Sequence, residues 1–337
     1  MATALRQLLV TQIGIETTKG TGVAATKQLI GDLDFDEDQQ FYRSPYPASL
    51  RATTGGAGVI VSKGTRFKLQ TELTAEEILW PMHLGIRGGL TPTSSSGDYT
   101  WTAAPETSTG IPTIAAASLE VAQSDGTTNH LIVNSTYVMC DGFDITYALN
   151  QPAMLDVSLF GRARETAAPT AALAPYTTRE ALVTPLTVVS IDTSYSGLGG
   201  TAITGIIRSA KWSYKTGFAP NYSLDGRSNK DFVKHRVSAP TATLSMLLEL
   251  DATAATALAT YRSNALTYVR LKTTGSVAAV AARYVQVDGA YRWLSYKTQV
   301  DGDQVLVACE LEAVYDATGT KMIEVKALNT LATIASA

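Results

Sequence analysis

GDLDFDEDQQF, residues 31–41, places an aspartate at every second position: Asp32, Asp34, Asp36 and Asp38. Because side chains alternate between two faces along a β-strand, this run predicts a strand with one acidic face and one mostly apolar face. A calcium-binding loop is the alternative, since such loops open with the same spacing of aspartates. That loop needs glycine at its sixth position and glutamate at its twelfth, where this chain has Glu37 and Arg43. The strand is therefore favoured.

The composition indicates a chain whose surface is largely covered by partners. It has 337 residues, enough for two domains of about 150 residues each, and 45% of them are hydrophobic, so a core can form. Only 17% are charged, below the roughly 25% of typical soluble domains. The net charge of -3 argues against a generic basic nucleic-acid-binding protein.

Cysteine content and the first residues predict the cellular compartment. Cys140 and Cys309 are too few for a disulfide framework or a zinc site and are interpreted as small buried hydrophobic residues. The opening MATALRQLLVTQIG lacks the basic start and the apolar core of a signal peptide. No apolar run approaches the roughly 20 residues of a membrane helix. We therefore expect synthesis in a cytoplasm and no membrane insertion.

The first half of the chain is predicted to form strands and a single helix. RFKLQTEL, 66–73, alternates polar and apolar residues as a strand does. TAEEILWPMHLGI, 74–86, starts like a helix, because Thr74 can act as N-cap and Glu77 completes a capping box. Further strands are expected at HLIVNSTYVMC, GFDITYAL and AMLDVSLFG.

Composition changes at 163–185, which is rich in alanine, threonine and proline and is typical of a connector between domains. After it the order repeats: a strand, a long polar loop, a strand, a helix opened by Asp251 as N-cap, and strands joined at Asp301-Gly302, a typical hairpin turn. The predicted domains are a first module at 1–163, a connector at 164–204 and a second module at 205–337.

The spacing of these elements predicts a duplication. Three pairs of residues mark it: Leu73 with Leu250, Phe35 with Trp212, and Ile145 with Leu294. The first two pairs share an offset of 177 (250 minus 73), and the third has an offset of 149 (294 minus 145), because the second half lacks the long loop at 87–115. We therefore expect one strand-rich module with one helix to occur twice.

The two halves differ in charge at matched positions. At the offset of 177, Asp34 matches Lys211 and Asp38 matches Lys215. Opposite charges on adjacent sheet edges would favour alternating pairing of the two modules and disfavour pairing of like modules. Divergence of two solvated faces is the alternative, and the sequence leaves both open.

The sequence lacks the common catalytic and cofactor-binding motifs. The histidines His83, His130 and His235 are far apart in sequence, and the nucleophile-elbow pattern G-x-S-x-G does not occur. The glycine-rich run at 195–205 does not open a helix within a βαβ unit, as the dinucleotide-binding motif requires. We therefore expect a protein that is not an enzyme and that has no metal and no cofactor.

Four architectural features occur together. A glycine- and threonine-rich arm runs into the first strand at 13–38, a long loop follows at 44–65, RFKLQTEL leads into the helix, and GFDITYALNQPAMLDVSLFGRA makes a hairpin. In this combination the chain resembles the tail tube (major tail) proteins of long-tailed bacteriophages. The resemblance covers about 1–163 and, more weakly, 205–316.

Most members of that family carry one such module and form six-membered rings. This chain carries two, which is similar to duplicated tube proteins in which three chains make a pseudo-sixfold ring. The resemblance implies a mainly β fold of two tandem β-sandwich or half-barrel modules, each with one α-helix, that close into a shared β-barrel in the ring. Closure would remove the open sheet edges that otherwise invite uncontrolled pairing.

The resemblance also implies the function. The chain is expected to be a structural virion protein of the phage tail, made in the bacterial host cytoplasm. Its stacked rings would form a tube through which double-stranded DNA passes during ejection without sequence-specific binding. The implied partners are other copies of this chain and other tail proteins, with no cofactor.

Two groups of residues are expected to carry this role. The lumen-facing candidates are Asp32, Asp34, Asp36, Asp38, Lys211 and Lys215. A wall that does not attract phosphate lets DNA slide, but the lysines could either neutralise the acidic stripe or pair with it at subunit boundaries. The ring-stacking candidates, in the long loops at 42–65 and 221–240, are Thr53, Thr54, Gly55, Gly56, Gly58, Arg227 and Lys230.

Two other functions stay open at this point. One is another component with the same fold, such as a tail tip, a terminator or the tube of an injection system. The other is a glycan-binding β-module, since 15 tyrosines and 4 tryptophans are present. Trp80, Trp212 and Trp293 lie in patterned elements, which favours core or interface positions over glycan binding.

Overall fold

A computed structural model describes residues 8–42, 58–107, 112–125, 127–165, 167–171, 173–224, 228–276 and 283–335. Strands hold 55% of the chain and helical residues 8%. The strand pairs in these ranges are antiparallel. The prediction of a mainly β fold is confirmed.

Nine strands precede the middle of the chain: β1 (Leu9–Ile15), β2 (Lys27–Leu29), β3 (Asp32–Tyr42), β4 (Val59–Glu72), β5 (Thr93–Ser95), β6 (Asp98–Ala103), β7 (Ala117–Ser124), β8 (Asn129–Ala148) and β9 (Met154–Gly161). Ten follow among the described residues: β10 (Thr187–Asp192), β11 (Ala202–Ile203), β12 (Ile207–Lys215), β13 (Phe218–Asn221), β14 (Lys234–Val237), β15 (Thr241–Glu249), β16 (Thr267–Thr274), β17 (Tyr284–Asp301), β18 (Gln304–Ala313) and β19 (Ile323–Asn329). The helices are α1 (Leu79–Pro81), which continues as a π-helical turn (Met82–Ile86), and α2 (Ala252–Ser263), with short 3-10 helices at Thr184–Leu186 and Tyr195–Gly197.

The acidic stretch forms strand β3 as predicted, but the strand continues beyond the last of its aspartates, Asp38, to Tyr42. β3 pairs with β4 as far as Tyr42 opposite Val59, whereas a loop was expected from residue 42 to residue 65. The sequence VIV at the start of β4 is β-branched and favours strand. The predicted loop is therefore partly a long β-hairpin.

The helix predicted at 74–86 is shorter and less regular than expected. The Glu77 N–H donates to Thr74 Oγ1 at 3.0 Å, as in a capping box. Pro81 lacks the N–H of a regular α-helical turn, and the α-helix ends there. The chain continues as the π-helical turn, which closes when the Arg87 N–H donates to the Met82 carbonyl at 3.0 Å. Every residue of both segments is buried, so they form part of the core.

Helix α2 begins and ends as its sequence predicts. Asp251 Oδ1 accepts a hydrogen bond from the Ala254 N–H at 2.8 Å, which is the predicted N-cap. The helix stops at Asn264, whose φ of 51° is left-handed. The Tyr296 hydroxyl donates to the Ala254 carbonyl at 3.0 Å and holds the start of α2 against β17.

One eight-stranded antiparallel sheet runs through both halves of the chain. The first half contributes four strands in the order β3-β4-β9-β8. The second half contributes β12-β15-β18-β17. Pairing of β8 with β12 joins the two sets into one sheet.

A second layer of strands packs behind each set, because β8 and β17 are long enough to cross between layers. The first part of β8 pairs with β7, which leads to β1 and β2. The first part of β17 pairs in the same way with β16, which leads to β10 and β11. One contiguous apolar core fills the space between the layers of both halves.

The predicted connector at 164–204 contains ordered structure that composition did not reveal. Its strands β10 and β11 belong to the second layer of the second half. Tyr176 is buried, accepts a hydrogen bond from Trp80 Nε1 at 3.0 Å and donates to the Ile334 carbonyl at 2.7 Å. The connector is thus packed against helix α1 and against the C-terminal segment.

Two segments expected to be loops take part in the fold. In the stretch 87–115, β6 pairs with β19, and Trp101 Nε1 donates to Asn329 Oδ1 at 3.2 Å. In the stretch 221–240, Phe232 is fully buried against Tyr137 and Phe160. Each contact joins residues distant in sequence, so the polar composition of these segments did not predict it.

Strand register corrects one of the sequence offsets. Leu155 of β9 lies opposite Thr71 and Val307 of β18 lies opposite Leu248, and Thr71 and Leu248 are related by the offset of 177. Ile145 lies opposite Leu155 and Thr298 lies opposite Val307, so Ile145 and Thr298 occupy corresponding positions. The offset between β8 and β17 is therefore 153 (298 minus 145), where the sequence suggested 149. The offset of 177 between β3 and β12 agrees with the pairing, since Asp34 lies opposite Lys68 of β4 just as Lys211 lies opposite Ser245 of β15.

Candidate functional site

The outer face of the eight-stranded sheet is polar along its whole width. On β4, Arg66, Lys68 and Gln70 are exposed, whereas Phe67 and Leu69 between them are buried in the core. The same alternation holds on the other strands of the sheet. The polar residues of this face, here called the polar face, include Asp32, Asp34, Asp36, Asp38, Arg66, Lys68, Gln70, Asp144, Thr146, Asp156, Ser158, Lys211, Ser213, Lys215, Thr243, Ser245, Ser295, Lys297, Glu310 and Glu312.

The acidic stripe on β3 lies beside basic residues of the neighbouring strand. Asp34 is opposite Lys68 and Asp36 is opposite Arg66. The Arg66 Nε lies 3.0 Å from Asp38 Oδ2. Both side chains of that ion pair are solvent-exposed, so it contributes less than about 1 kcal/mol to stability.

The two lysines lie on the same face, four strands away. Lys211 and Lys215 are on β12, about 19 Å from β3 at the usual strand spacing. Lys211 Nζ lies 2.7 Å from Asp144 Oδ2 on β8. The structure therefore brings all six lumen-facing candidates to the polar face, and each stripe has counter-charges on an adjacent strand of the same chain.

Carboxylates outnumber basic groups on the polar face. Asp156 on β9 and the pair Glu310 and Glu312 on β18 add to the β3 stripe. Lysine and arginine side chains are the usual partners of phosphate, and here Arg66 and Lys211 are each paired with a carboxylate. A surface of this kind offers few free basic groups with which to bind a polyanion.

Of the ring-stacking candidates, the structure describes Gly58 and Lys230. Thr53, Thr54, Gly55, Gly56 and Arg227 lie outside the described residues. Gly58 is exposed immediately before β4. The Lys230 carbonyl accepts a hydrogen bond from the Lys63 N–H at 2.9 Å, so the two predicted loops lie side by side at one end of the sheet.

An apolar patch at that end was missed from the sequence. Four large hydrophobic side chains of the β3–β4 hairpin are more than half exposed: Phe41 57%, Tyr42 53%, Val59 55% and Val61 53%. Phe41 and Tyr42 are consecutive and therefore point to opposite faces of the hairpin, and exposed apolar side chains of this kind indicate a contact surface. The alternation of the aspartate stretch should have been followed beyond Asp38, because its strand continues to Tyr42.

A buried ionic cluster, distinct from the polar face, holds the connector in place. Arg179 Nε lies 3.2 Å from Glu77 Oε2, and the Ile30 N–H donates to Glu77 Oε1 at 3.2 Å. Arg283 Nε lies 3.5 Å from Glu76 Oε1. Glu76 and Glu77 lie two to three residues before the start of α1, so this cluster joins the connector, β2 and the second half to the core of the first.

The environment of Glu76 perturbs its titration. Burial raises the pKa of Glu76 from 4.5 to about 7, and the positive charge of Arg283 opposes that rise. Burial also lowers the pKa of His83 to about 4. Perturbed groups often mark active sites, but these two are buried in the core, and the cluster holds elements of the fold together.

We expect Glu76→Gln to stabilise the protein increasingly as pH rises from 4.5 to 7. The folded state of the wild type binds the Glu76 proton more tightly than the unfolded state, so the wild type loses stability across this window. Glutamine does not titrate, so the free energy of unfolding of the variant relative to wild type should rise by about 3 kcal/mol from below pH 4.5 to above pH 7. Urea denaturation of both proteins at several pH values measures it.

The comparison of the two proteins isolates Glu76. His83, which contributes a pH dependence of opposite sign, is common to both and cancels in the difference. A difference in the free energy of unfolding that stays constant between pH 4.5 and pH 8 would contradict the assignment of the raised pKa to Glu76.

Other sites were sought across the described residues. Within those ranges, no group of three or more His, Cys, Asp and Glu side chains is placed to hold a metal ion. Both cysteines are free and buried, as predicted, and burial raises the pKa of Cys309 to about 12. In the same part of the chain, none of the helices has the length and apolar character needed to cross a bilayer.

Comparison with known protein families and with curated proteins finds no match to this chain.

Proposed function

We propose that this chain is a tail tube protein of a long-tailed bacteriophage, a ring-forming structural protein whose stacked rings conduct DNA. The observation that carries the proposal is the eight-stranded sheet, which continues across both halves of the chain and has one polar face. Such a sheet is suited to line a channel with its polar side while its apolar side packs against the second layer.

The proposal includes a duplicated module. The strands β1, β2, β3, β4, β7, β8 and β9 have the same pairing partners, in the same order, as β10, β11, β12, β15, β16, β17 and β18. The first module is 1–163. We place the start of the second at Thr187, earlier than residue 205, because β10 and β11 pair as β1 and β2 do.

Ring closure follows from the edges of the sheet. Among the described residues, β3 pairs only with β4, and β17 pairs only with β18 beyond residue 292. Open edges of this length favour pairing with another chain, and a closed ring is the symmetric way to use both. Two modules per chain would make three chains a pseudo-sixfold ring.

The polar face would line the bore of that ring. Its surplus of carboxylates repels phosphate, and its basic residues Arg66 and Lys211 are paired with neighbouring acids, so DNA would pass without sequence-specific binding. The glycan-binding alternative finds less support, because Trp80, Trp101, Trp212 and Trp293 are all buried. A tail-tip, terminator or injection-system tube protein of the same fold is the alternative within the proposal.

Sedimentation and negative-stain microscopy of the purified protein test the proposal. We expect particles three times the 35.8 kDa chain mass, or tubes built from them, with a central hole wide enough for a DNA duplex. Monomers at every concentration and salt condition would refute it. Copy number in purified virions separates a tube protein, which is abundant, from a tip protein.

The apolar patch of the β3–β4 hairpin is expected to mediate ring stacking. Replacing Phe41 with serine and Val61 with threonine should leave rings intact but reduce tube length at least tenfold, because the patch lies beyond the part of β3 that would close the ring. Electron microscopy measures the length. Val188→Thr, a similarly exposed valine on β10, is the matched control and should leave tube length unchanged; equal lengths in all three proteins would contradict this role.

A further inference from the structure

The junction between β8 and β12 inside the chain is a template for contacts between chains. In it, Ser213 lies opposite Asp144 and Lys211 lies opposite Thr146. Lys211 reaches diagonally to Asp144, with Nζ 2.7 Å from Oδ2. On the core side, Phe143 packs against Trp212 with ring centroids 5.4 Å apart. The junction thus combines strand pairing, an ion pair on the polar face and aromatic packing beneath it.

Each strand of this junction has a counterpart at an open edge of the same sheet. β3 is the counterpart of β12 at the offset of 177, as the registers with β4 and β15 establish. β17 is the counterpart of β8 at the offset of 153. The register irregularities agree with that offset, since one falls between Cys140 and Gly142 and the other between Trp293 and Ser295.

The open edges expose core-side positions that the internal junction buries. Tyr147 is 2% exposed in β8, whereas its counterpart Val300 is 74% exposed in β17. Trp212 is fully buried in β12, whereas its counterpart Phe35 is only partly buried in β3. A second copy of this chain, paired as β12 pairs with β8, would cover both.

We infer that β3 of one copy pairs antiparallel with β17 of the next in the register of the internal junction, which sets Asp36 opposite Lys297. The inference rests on the proposed function, because it specifies the contact that closes the ring. In that register Asp34 takes the place of Lys211, and Lys297 takes the place of Asp144. The diagonal ion pair is kept between subunits with its charges reversed.

The reversal of sign distinguishes correct from incorrect pairing. Pairing β3 with a β8 strand would set Asp34 beside Asp144, and pairing β17 with a β12 strand would set Lys211 beside Lys297. Like charges on adjacent strands are unfavourable, and repulsion of this kind is a common source of specificity. The reversal of charge therefore disfavours an exchange of partners between the two homologous junctions.

The neighbouring charges permit this arrangement. Lys68 of β4 lies opposite Asp34, but no ion pair within 4.0 Å joins them in the described structure, so Asp34 is available to a second cation. Lys297 is exposed and forms no ion pair with the described residues either. Both partners are thus on the surface and oriented to the polar face.

Cysteine cross-linking tests the register. Asp36→Cys combined with Lys297→Cys should form disulfides between chains under mild oxidation, because directly opposed residues bring Cα atoms within the range of a disulfide. Ser213→Cys with Asp144→Cys is the matched control for the same geometry inside one chain. Asp32→Cys with Lys297→Cys is four residues out of register and should cross-link at least tenfold less.

The possible outcomes test the strand register and the proposed ring-forming function separately. Interchain disulfides in the first variant and intrachain disulfides in the second support the inference. Rings seen by microscopy without interchain disulfides would overturn the register and leave the ring proposal standing. Failure of the wild type to form any ring would overturn both.

A charge-reversal cycle tests the ion pair. Asp34→Lys and Lys297→Asp should each weaken ring assembly about tenfold per contact at low salt, and the double variant should restore it. Raising the salt to 1 M should shrink the single-variant effects, because screening acts on exposed charges. A double variant that assembles no better than the singles would overturn the ion pair. Thermal melts of the single chains check that all variants fold.

Discussion

Replacing Trp212 with alanine should destabilise the protein more than any other single substitution considered, by about 4 kcal/mol. Trp212 is fully buried where the two halves of the sheet meet. Its ring stacks on Tyr214 with centroids 5.9 Å apart, and its Nε1 donates to the Tyr291 hydroxyl at 3.0 Å. Alanine would leave a large cavity at the β8–β12 junction and an unpartnered hydroxyl beneath it.

Two milder substitutions separate packing from hydrogen bonding at this position. Trp212→Phe keeps most of the packing but leaves the Tyr291 hydroxyl without its hydrogen-bond donor. We expect this change to lower the free energy of unfolding by about 2 kcal/mol. Adding Tyr291→Phe removes both partners and should recover most of that loss. Urea denaturation measures all three, and a loss below 1 kcal/mol for Trp212→Ala would show that the junction is not a continuous part of the core.

Replacing Arg162 with alanine should lower the free energy of unfolding by about 3 kcal/mol and release the 216–240 segment. The Arg162 guanidinium donates to the carbonyls of Gly20, Phe232 and Val233 at 3.1 to 3.2 Å. It also lies over the Tyr137 ring, 4.9 Å from the centroid. One side chain therefore joins the residues just before β14 to the first half of the chain.

Limited proteolysis and denaturation measure this effect, and Arg164 is the matched control. Arg164 lies two residues away but is more exposed, with one ion pair to Glu37 and one hydrogen bond to a carbonyl. Arg164→Ala should cost less than 1 kcal/mol. Equal losses for the two variants, or unchanged cleavage near residue 230 in Arg162→Ala, would contradict the docking role.

Local pattern predicted the parts of the fold whose causes are local. The alternation of Asp32, Asp34 and Asp36 identified β3 and its exposed face, and Asp251 identified the start of α2. Asp301-Gly302 identified the β17–β18 hairpin, in which Gly302 has a φ of 60°. Each of these features depends on residues that are close together in the sequence.

Long-range contacts explain what pattern did not predict. The stretches GDLDFDEDQQF and RFKLQTEL did not reveal how far the β3–β4 hairpin extends, because its end depends on pairing between Tyr42 and Val59. The offset between β8 and β17 was wrong by four residues, because the equivalence of these two strands depends on their pairing with β9 and β18, which are separate in sequence. From the sequence, Phe232 was predicted to lie in a polar loop. In the structure it is packed against Arg162 and Tyr137, which are distant in sequence.

Electron cryo-microscopy of the assembled particles, at a resolution that separates strands, shows whether neighbouring copies of the sheet join. We expect a closed barrel made of three copies of the eight-stranded sheet, with β3 of each copy beside β17 of the next and Asp34 facing the central hole. Particles in which those edges stay unpaired, or in which the polar face lies on the outer surface, would contradict it.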